Sequence, residues 1–252
     1  MTKIRICIGT EDKTEIPCKV LQHSIISRVS AGTEVEFFLS NDKSWYTEKQ
    51  RPFKLGTAFS LYRWSIPELM GYSGYAIYLD ADQIVLSDIK ELWQSDQLYP
   101  NKETSVWCTY QSLHYETSVM FIDCTKAKDQ FPSRGLVLDR LASDYDRIYY
   151  KSLMHGKELA VSPQKIPEHW NHLNYYDKHL TCLLHYTIEH QQPWYRPSHA
   201  LTWLWEQELV AAMSAGYITK RDIQYHIHKW DEITDGKKTR YSGLHPYYKK
   251  YC

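Results

Sequence analysis

The stretch Ala76-Ile77-Tyr78-Leu79-Asp80-Ala81-Asp82-Gln83-Ile84-Val85-Leu86 decides how the rest of the chain is read. A run of apolar, strand-forming residues leads into two carboxylates one residue apart, and a second apolar run follows at once. Residues two apart in a strand point to the same side, so Asp80 and Asp82 converge where the strand ends. Two anions that close repel unless a positive charge lies between them. A divalent cation bound by hard oxygen ligands, and able to carry a diphosphate, meets that need. Acidic residues at a strand end are also ordinary turn formers. Here the flanking apolar residues assign the pair to a core strand rather than to a solvated loop.

Working outward, residues 4–10 read as a first strand ending in a turn. Val20, Leu21, Ile25 and Val29 have helical spacing, and residues 35–39 form a second strand. This β-α-β order predicts a parallel sheet with a right-handed crossover. Residues 58–70 are expected to form a helix with Pro67 near its end. Ser87 or Asp88 is a suitable N-cap for a helix running to Trp93. Residues 106–109 and 118–122 read as further strands, 135–143 as a helix and 163–171 as a loop. Residues 182–186 read as a short strand carrying a histidine, and 203–215 as an amphipathic helix. With no internal repeat and no low-complexity linker, a single domain over 1–218 is expected. A basic and aromatic extension, 219–252, packs on that same domain.

A chain of 252 residues suits one large α/β domain. Lys plus Arg equals Asp plus Glu at 30 each, so no global charge argues for nucleic acid. The 21 Tyr and 9 Trp suit sugar or nucleotide stacking as well as ordinary cores. No pair among the six cysteines is spaced Cys-x-x-Cys, which argues against a zinc knuckle. Cys7, Cys108, Cys124 and Cys182 lie in apolar surroundings and read as buried free thiols. The apolar run at Ile4 to Ile8 is broken by Arg5, so it does not read as a signal peptide, and no apolar stretch is long enough to span a membrane. A cytoplasmic protein of a reducing compartment is expected. In the extension, Lys237-Lys238-Thr239-Arg240 and Tyr247-Tyr248-Lys249-Lys250-Tyr251 read as a solvated tail packed through its tyrosines. The other reading is a patch for anionic lipid headgroups at a membrane surface, or for an anionic acceptor, diluted by Asp231, Glu232 and Asp235.

The arrangement Arg63 … Ile66-Pro67 … Ile77-Tyr78-Leu79-Asp80-Ala81-Asp82 … Ile89-Lys90-Glu91-Leu92-Trp93 resembles glycosyltransferase family 8. That family includes glycogenin and bacterial lipopolysaccharide galactosyl- and glucosyltransferases. Trp170-Asn171 after Ile166-Pro167 is similar to the family's Leu-Pro-x-x-Trp-Asn stretch. His185 followed by Pro193-Trp194 is similar to its C-terminal histidine motif. The resemblance runs from about Ile4 to Trp194. It implies a GT-A fold: α/β, three-layer α/β/α, with a mostly parallel nucleotide-binding sheet. It also implies Mn²⁺, with Mg²⁺ as the other candidate, and a nucleoside-diphosphate sugar, UDP-linked, transferred with retention of configuration. The implied acceptor is a glycan, a lipopolysaccharide or another hydroxyl compound.

Carried over residue by residue, the resemblance implies that Asp80, Asp82 and His185 are the metal ligands. Two carboxylates and an imidazole suit such an ion and leave positions for diphosphate oxygens. Arg63 matches the family's donor-contacting arginine. Gly9, Thr10 and Asp12 follow the first strand, where relatives grip the nucleotide, and Ala81, Thr117 and Ser118 complete the implied donor contacts. The residues alone also permit a helix arginine at Arg63, turn chemistry at Thr10 and Asp12, and a backbone-bonded histidine at His185. The chain departs from the pattern in three places. Glu116-Thr117-Ser118 stands where relatives have Asn-x-Gly, so Glu116 is a candidate acid, base or nucleophile. Asp144 and Asp146 are the candidates for the aspartate of the family's Asp-Gln pair ahead of Trp-Asn, and neither is followed by glutamine. Gln192 stands where the family has a lysine, with Arg196 or His199 as substitutes for its diphosphate contact. Two further readings remain: a nucleotide-sugar-binding protein that transfers nothing, and a haloacid-dehalogenase-like phosphatase with Asp80 as nucleophile.

Overall fold

The computed structural model describes residues 2–40, 59–94, 103–141, 146–195, 199–234 and 247–251. Nine strands form among the described residues: β1 (Thr2–Gly9), β2 (Thr33–Leu39), β3 (Tyr75–Asp80), β4 (Gln83–Val85), β5 (Val106–Gln111), β6 (His114–Asp123), β7 (Gln164–Lys165), β8 (His172–Leu173) and β9 (Leu183–His185). The chain divides into two units. One holds Met1–Glu11, Ser30–Asp80 and Ile89–Asn171; the other holds Asp12–Val29, Ala81–Asp88 and His172–Cys252.

The first unit is built on a six-stranded sheet in the order β2-β1-β3-β6-β5-β7. β1 runs parallel to β2 and β3, and β5 runs parallel to β7. β6 is antiparallel to both β3 and β5, so the sheet is mixed but mostly parallel. Alternation does the sorting. Cys7, Ala76, Tyr78, Met120 and Ile122 belong to one buried cluster that also takes in Leu153 and Val137. Phe121, one residue out of phase, stacks on Tyr75 and meets the rings of Trp93 and Trp107. Asp123 closes β6 and caps the helix Cys124–Gln130, accepting from Thr125 N at 3.1 Å and Lys126 N at 3.2 Å.

The expected helix over 58–70 is two pieces among its described residues: a 3-10 turn at Tyr62–Trp64 and a short helix at Ile66–Leu69. Pro67 explains the break. It lacks an N–H and fits the first turn of a helix, so it starts the second piece instead of ending one long helix. Residues 163–171, expected as a loop, contain β7 and a 3-10 turn at Glu168–Asn171. The helices Cys124–Gln130 and Asp146–Met154 were not legible as such in the sequence.

The second unit carries the three-stranded sheet β4-β9-β8 and the helices Glu15–Ile26, Thr202–Ser214 and Lys220–Thr234. Its core includes Ile16, Val20, Ile84, Leu184, Trp194, Trp205, Leu209 and Tyr248. Buried Ser24 fixes the first helix to β4 by accepting from Val85 N at 3.0 Å. Thr219 and Asp222 form a reciprocal capping box at the start of the last helix: Thr219 N donates to Asp222 Oδ2 at 2.8 Å and Asp222 N to Thr219 Oγ1 at 3.1 Å. Lys19 adds an ion pair to Asp222 at 2.7 Å, which helps hold that carboxyl down at about 2. The C-terminal extension is thus helical over Lys220–Thr234, and Tyr248 is buried against Trp205. Its Lys237–Arg240 cluster lies outside the described residues. Cys7, Cys18, Cys108 and Cys124 are buried free thiols, whereas Cys182 is only half-buried, because it precedes β9 rather than lying within it. No helix among the described residues is long and apolar enough to cross a membrane.

Candidate metal centre

Asp80 ends β3 opposite Gly9 of β1. Tyr78 lies two residues earlier on the same side of the strand, and its hydroxyl donates to Asp80 Oδ1. The second donor is Arg63. Its Nη2 lies 3.0 Å from Asp80 Oδ1 and 3.3 Å from Oδ2. Its Nη1 donates to the Thr117 carbonyl at 2.7 Å and to Thr117 Oγ1 at 3.0 Å. Thr117 Oγ1 in turn donates to the Met154 carbonyl at 2.6 Å. The guanidinium also sits over the Tyr78 ring, 4.7 Å from its centroid. Burial works against the Arg63 charge, but Asp80 and the Tyr78 and Tyr150 phenols outweigh it and hold its pKa above the ordinary value. Arg63 is 6 % exposed, so it serves Asp80 from inside the protein.

Asp82 does not share the strand expected for the pair: β3 ends at Asp80, Ala81 and Asp82 form the turn into β4, and different elements fix the second carboxylate. β4 pairs antiparallel with β9, with Gln83 opposite His185. Tyr186 N donates to the Asp82 carbonyl at 3.0 Å. Gln192 Nε2 donates to Asp82 Oδ2 at 3.0 Å and to the Tyr186 carbonyl at 2.9 Å. Asp82 Oδ1 is buried and accepts no hydrogen bond, although His185 Nε2 lies only 3.1 Å away. Two groups facing at that distance without a hydrogen-bonding angle are what a shared cation would leave. One ligand atom each from Asp80, Asp82 and His185 lies within 4.8 Å of the other two. The donor set, two carboxylate oxygens and one imidazole nitrogen, fits a divalent ion such as Mn²⁺ or Mg²⁺.

The remaining candidates fall in several places. Thr10 N donates to Ser40 Oγ at 2.8 Å, and Ser40 Oγ donates back to the Thr10 carbonyl at 2.8 Å. The Asp12 carboxylate pairs with Lys229 Nζ at 3.0 Å, and its carbonyl accepts from His226 Nε2 at 2.9 Å. Ala81 is buried between the two aspartates. Ser118 Oγ accepts from Asn171 Nδ2 at 3.0 Å, and the same amide reaches Thr109 Oγ1 at 3.2 Å. Glu116 contacts His114 Nε2, and the His114 ring lies 4.0 Å from that of His155. Burial and His114 hold the His155 pKa below its usual value. His199 Nδ1 accepts from Leu201 N at 3.0 Å, and burial lowers its pKa. Asp144 and Arg196 lie outside the described residues, and only the backbone of Asp146 is described, at the start of its helix.

No protein-family model matches the chain. "Protein CDI" of Arabidopsis thaliana is 33% identical over 90 residues, which is 35% of this chain and 35% of that relative. The match therefore spans about a third of the relative's length. Solved structures resemble far more of the chain. The galactosyltransferase LgtC, in complex with donor and acceptor sugar analogues, superposes with a TM-score of 0.59 at 13% identity, covering 82% of this chain and 96% of that one. WbbM, a bifunctional glycosyltransferase, gives 0.61 at 11% identity, with 82% and 50% covered. GlyE of Streptococcus pneumoniae gives 0.57 at 14%, with 86% and 64% covered. This is a GT-A glycosyltransferase fold.

Within a GT-A fold, the residues that the sequence left unassigned stand out. Tyr78 is legible only as a strand residue two before Asp80. Gln192 reads from sequence as a missing lysine, yet the fold turns it into a donor to Asp82. His114 and His155 lie 41 positions apart, and nothing in their local sequence signals that their rings meet.

Proposed function

We propose that the chain is a metal-dependent, retaining glycosyltransferase that moves a sugar from a nucleoside-diphosphate donor, UDP-linked, to a hydroxyl of a glycan or related acceptor. The convergence of Asp80, Asp82 and His185 at a strand end of a GT-A fold carries this reading. Asp80, Asp82 and His185 would hold a divalent ion, which would supply Lewis-acid neutralisation of the departing diphosphate. Arg63 and Tyr78 hold the Asp80 carboxylate in a fixed orientation, so it does not reorganise when charge develops. Thr117 ties Arg63 to the strand that carries Glu116 and Ser118, which are assigned to the donor sugar. Gly9, Thr10 and Asp12 are assigned to the nucleotide. Glu116, held by His114, contacts sugar hydroxyls or moves a proton there. The acceptor hydroxyl adds at the anomeric carbon as the bond to phosphate breaks, and its proton leaves to the departing phosphate.

The test is a panel of UDP- and GDP-sugars with Mn²⁺, read as nucleoside diphosphate released with and without glycan acceptors. Release of UDP from one donor, lost in folded Asp80→Asn and Asp82→Asn variants, supports the proposal. Donor binding with no release in any combination would identify a binding protein instead.

A further inference from the structure

Gln192 sits at the end of a 3-10 turn, Glu189–Gln191, and is 6 % exposed. Its amide nitrogen faces two oxygen acceptors, Asp82 Oδ2 at 3.0 Å and the Tyr186 carbonyl at 2.9 Å. A carbonyl oxygen in that place would face two others, so the –NH₂ orientation is set by chemistry. Both N–H groups are used, and turning the amide away would cost both acceptors this donor. The Tyr186 backbone is itself tied to Asp82, its N–H donating to the Asp82 carbonyl at 3.0 Å. The carboxylate is thereby clamped from one side. Oδ2 is occupied by an amide hydrogen, and Oδ1 alone is left bare beside His185 Nε2.

From this we infer that Gln192 is a positioning residue that sets which cation the site takes, by restricting Asp82 to one ligand oxygen. The inference rests on the metal reading given above. Ca²⁺ takes six to eight oxygens and readily uses both oxygens of a carboxylate, whereas smaller octahedral ions take one oxygen from each. A clamped Oδ2 therefore penalises Ca²⁺ more than Mn²⁺ or Mg²⁺. The clamp is neutral, which matters as much as its position. A lysine or arginine there would repel the incoming ion, and a carboxylate would add a ligand instead of withholding one. An amide orients Asp82 without altering the charge that the cation meets.

The test measures binding without turnover. Mn²⁺ binding to the full chain is followed by electron paramagnetic resonance, and Ca²⁺ and Mg²⁺ are then used as competitors. The wild type, Gln192→Leu and Gln192→Glu are compared, with Asp82→Asn as the site control. Circular dichroism and metal-free melting confirm that each variant is folded. Loss of the clamp is expected to weaken Mn²⁺ binding by about tenfold, the usual effect of removing a partner of a metal ligand. It is expected to move the Ca²⁺-to-Mn²⁺ affinity ratio toward Ca²⁺ by a further factor of about ten, and Gln192→Glu is expected to shift it most. A folded Gln192→Leu protein with an unchanged ratio overturns the inference while leaving the metal site standing. Wild-type protein that binds no Mn²⁺ sensitive to Asp82→Asn overturns the inference and the metal reading together.

Discussion

The Tyr78 hydroxyl lies 2.3 Å from the position a β-carbon on Gly9 would occupy. Gly9 thus leaves the space through which Tyr78 reaches Asp80. The glycine is needed for room, not for an unusual backbone angle, and Phe59 crowds the same spot at 2.6 Å. Gly9→Ala is expected to displace Tyr78 and to cost about 1–3 kcal/mol, the usual range for overpacking. Urea unfolding reads the cost. Tyr78→Phe removes the crowding hydroxyl, so adding Gly9→Ala to it should cost less than in the wild type; equal costs in both backgrounds would refute the steric account.

Arg63 and Asp80 form a buried pair, with side chains 7% and 13% exposed. Arg63→Met leaves the carboxylate without its cation and is expected to destabilise the fold by roughly 3–5 kcal/mol. Because a bound metal supplies a substitute charge, millimolar Mn²⁺ should raise the melting temperature of this variant more than that of the wild type. Equal shifts in the two proteins would show that Arg63 and the metal do not share Asp80.

His226 is expected to make stability pH-dependent. Burial, the largest effect, pushes its pKa down to about 4 from 6.5. The hydrogen bonds agree with a neutral ring: Nε2 donates to the Asp12 carbonyl and Nδ1 accepts from the Tyr248 hydroxyl. The unfolded chain therefore binds the proton more readily than the folded one. The contribution is fully present above pH 6.5 and is lost as pH falls from there to about 4. A shift of this size corresponds to roughly 3 kcal/mol. Unfolding free energies measured across that interval should show the fall, and His226→Gln should flatten it.

Asn171 is fully buried and bonds both Thr109 and Ser118 through one amide nitrogen. It joins β5 to β6 beside the register shift at Cys108/Thr109. Asn171→Leu leaves two hydroxyls without this partner and is expected to cost about 1–3 kcal/mol. Since Ser118 is assigned to the donor, UDP-sugar affinity should fall as well. Loss of stability with unchanged donor affinity would remove Ser118 from the donor site.

The buried thiols give a chemical check on the core. Burial raises the pKa of Cys7 and of Cys124 to about 12, and raises that of Cys108 as well. At pH 8 these three should resist alkylation in the native protein and react once it is unfolded. Mass mapping of iodoacetamide adducts reads this directly. Fast native labelling of Cys7 would contradict the packing of the first unit.

The sequence by itself determined the strand that ends in Asp80 and the β-α-β opening around it, whereas Asp82 lies in the turn between β3 and β4 and not on that strand. The strand and the opening follow locally from period-two alternation and chain connectivity. It also marked Arg63 and His185, through resemblance. What only the tertiary structure decided is how each side chain is held. Arg63 turns one amino group to Asp80 while the other is held by Thr117, on a strand more than fifty positions away. Gln192 meets Asp82 across 110 positions, and His226 meets Asp12 across 214. Pairings of that span depend on how sheets and helices pack, and packing is not written in any local pattern.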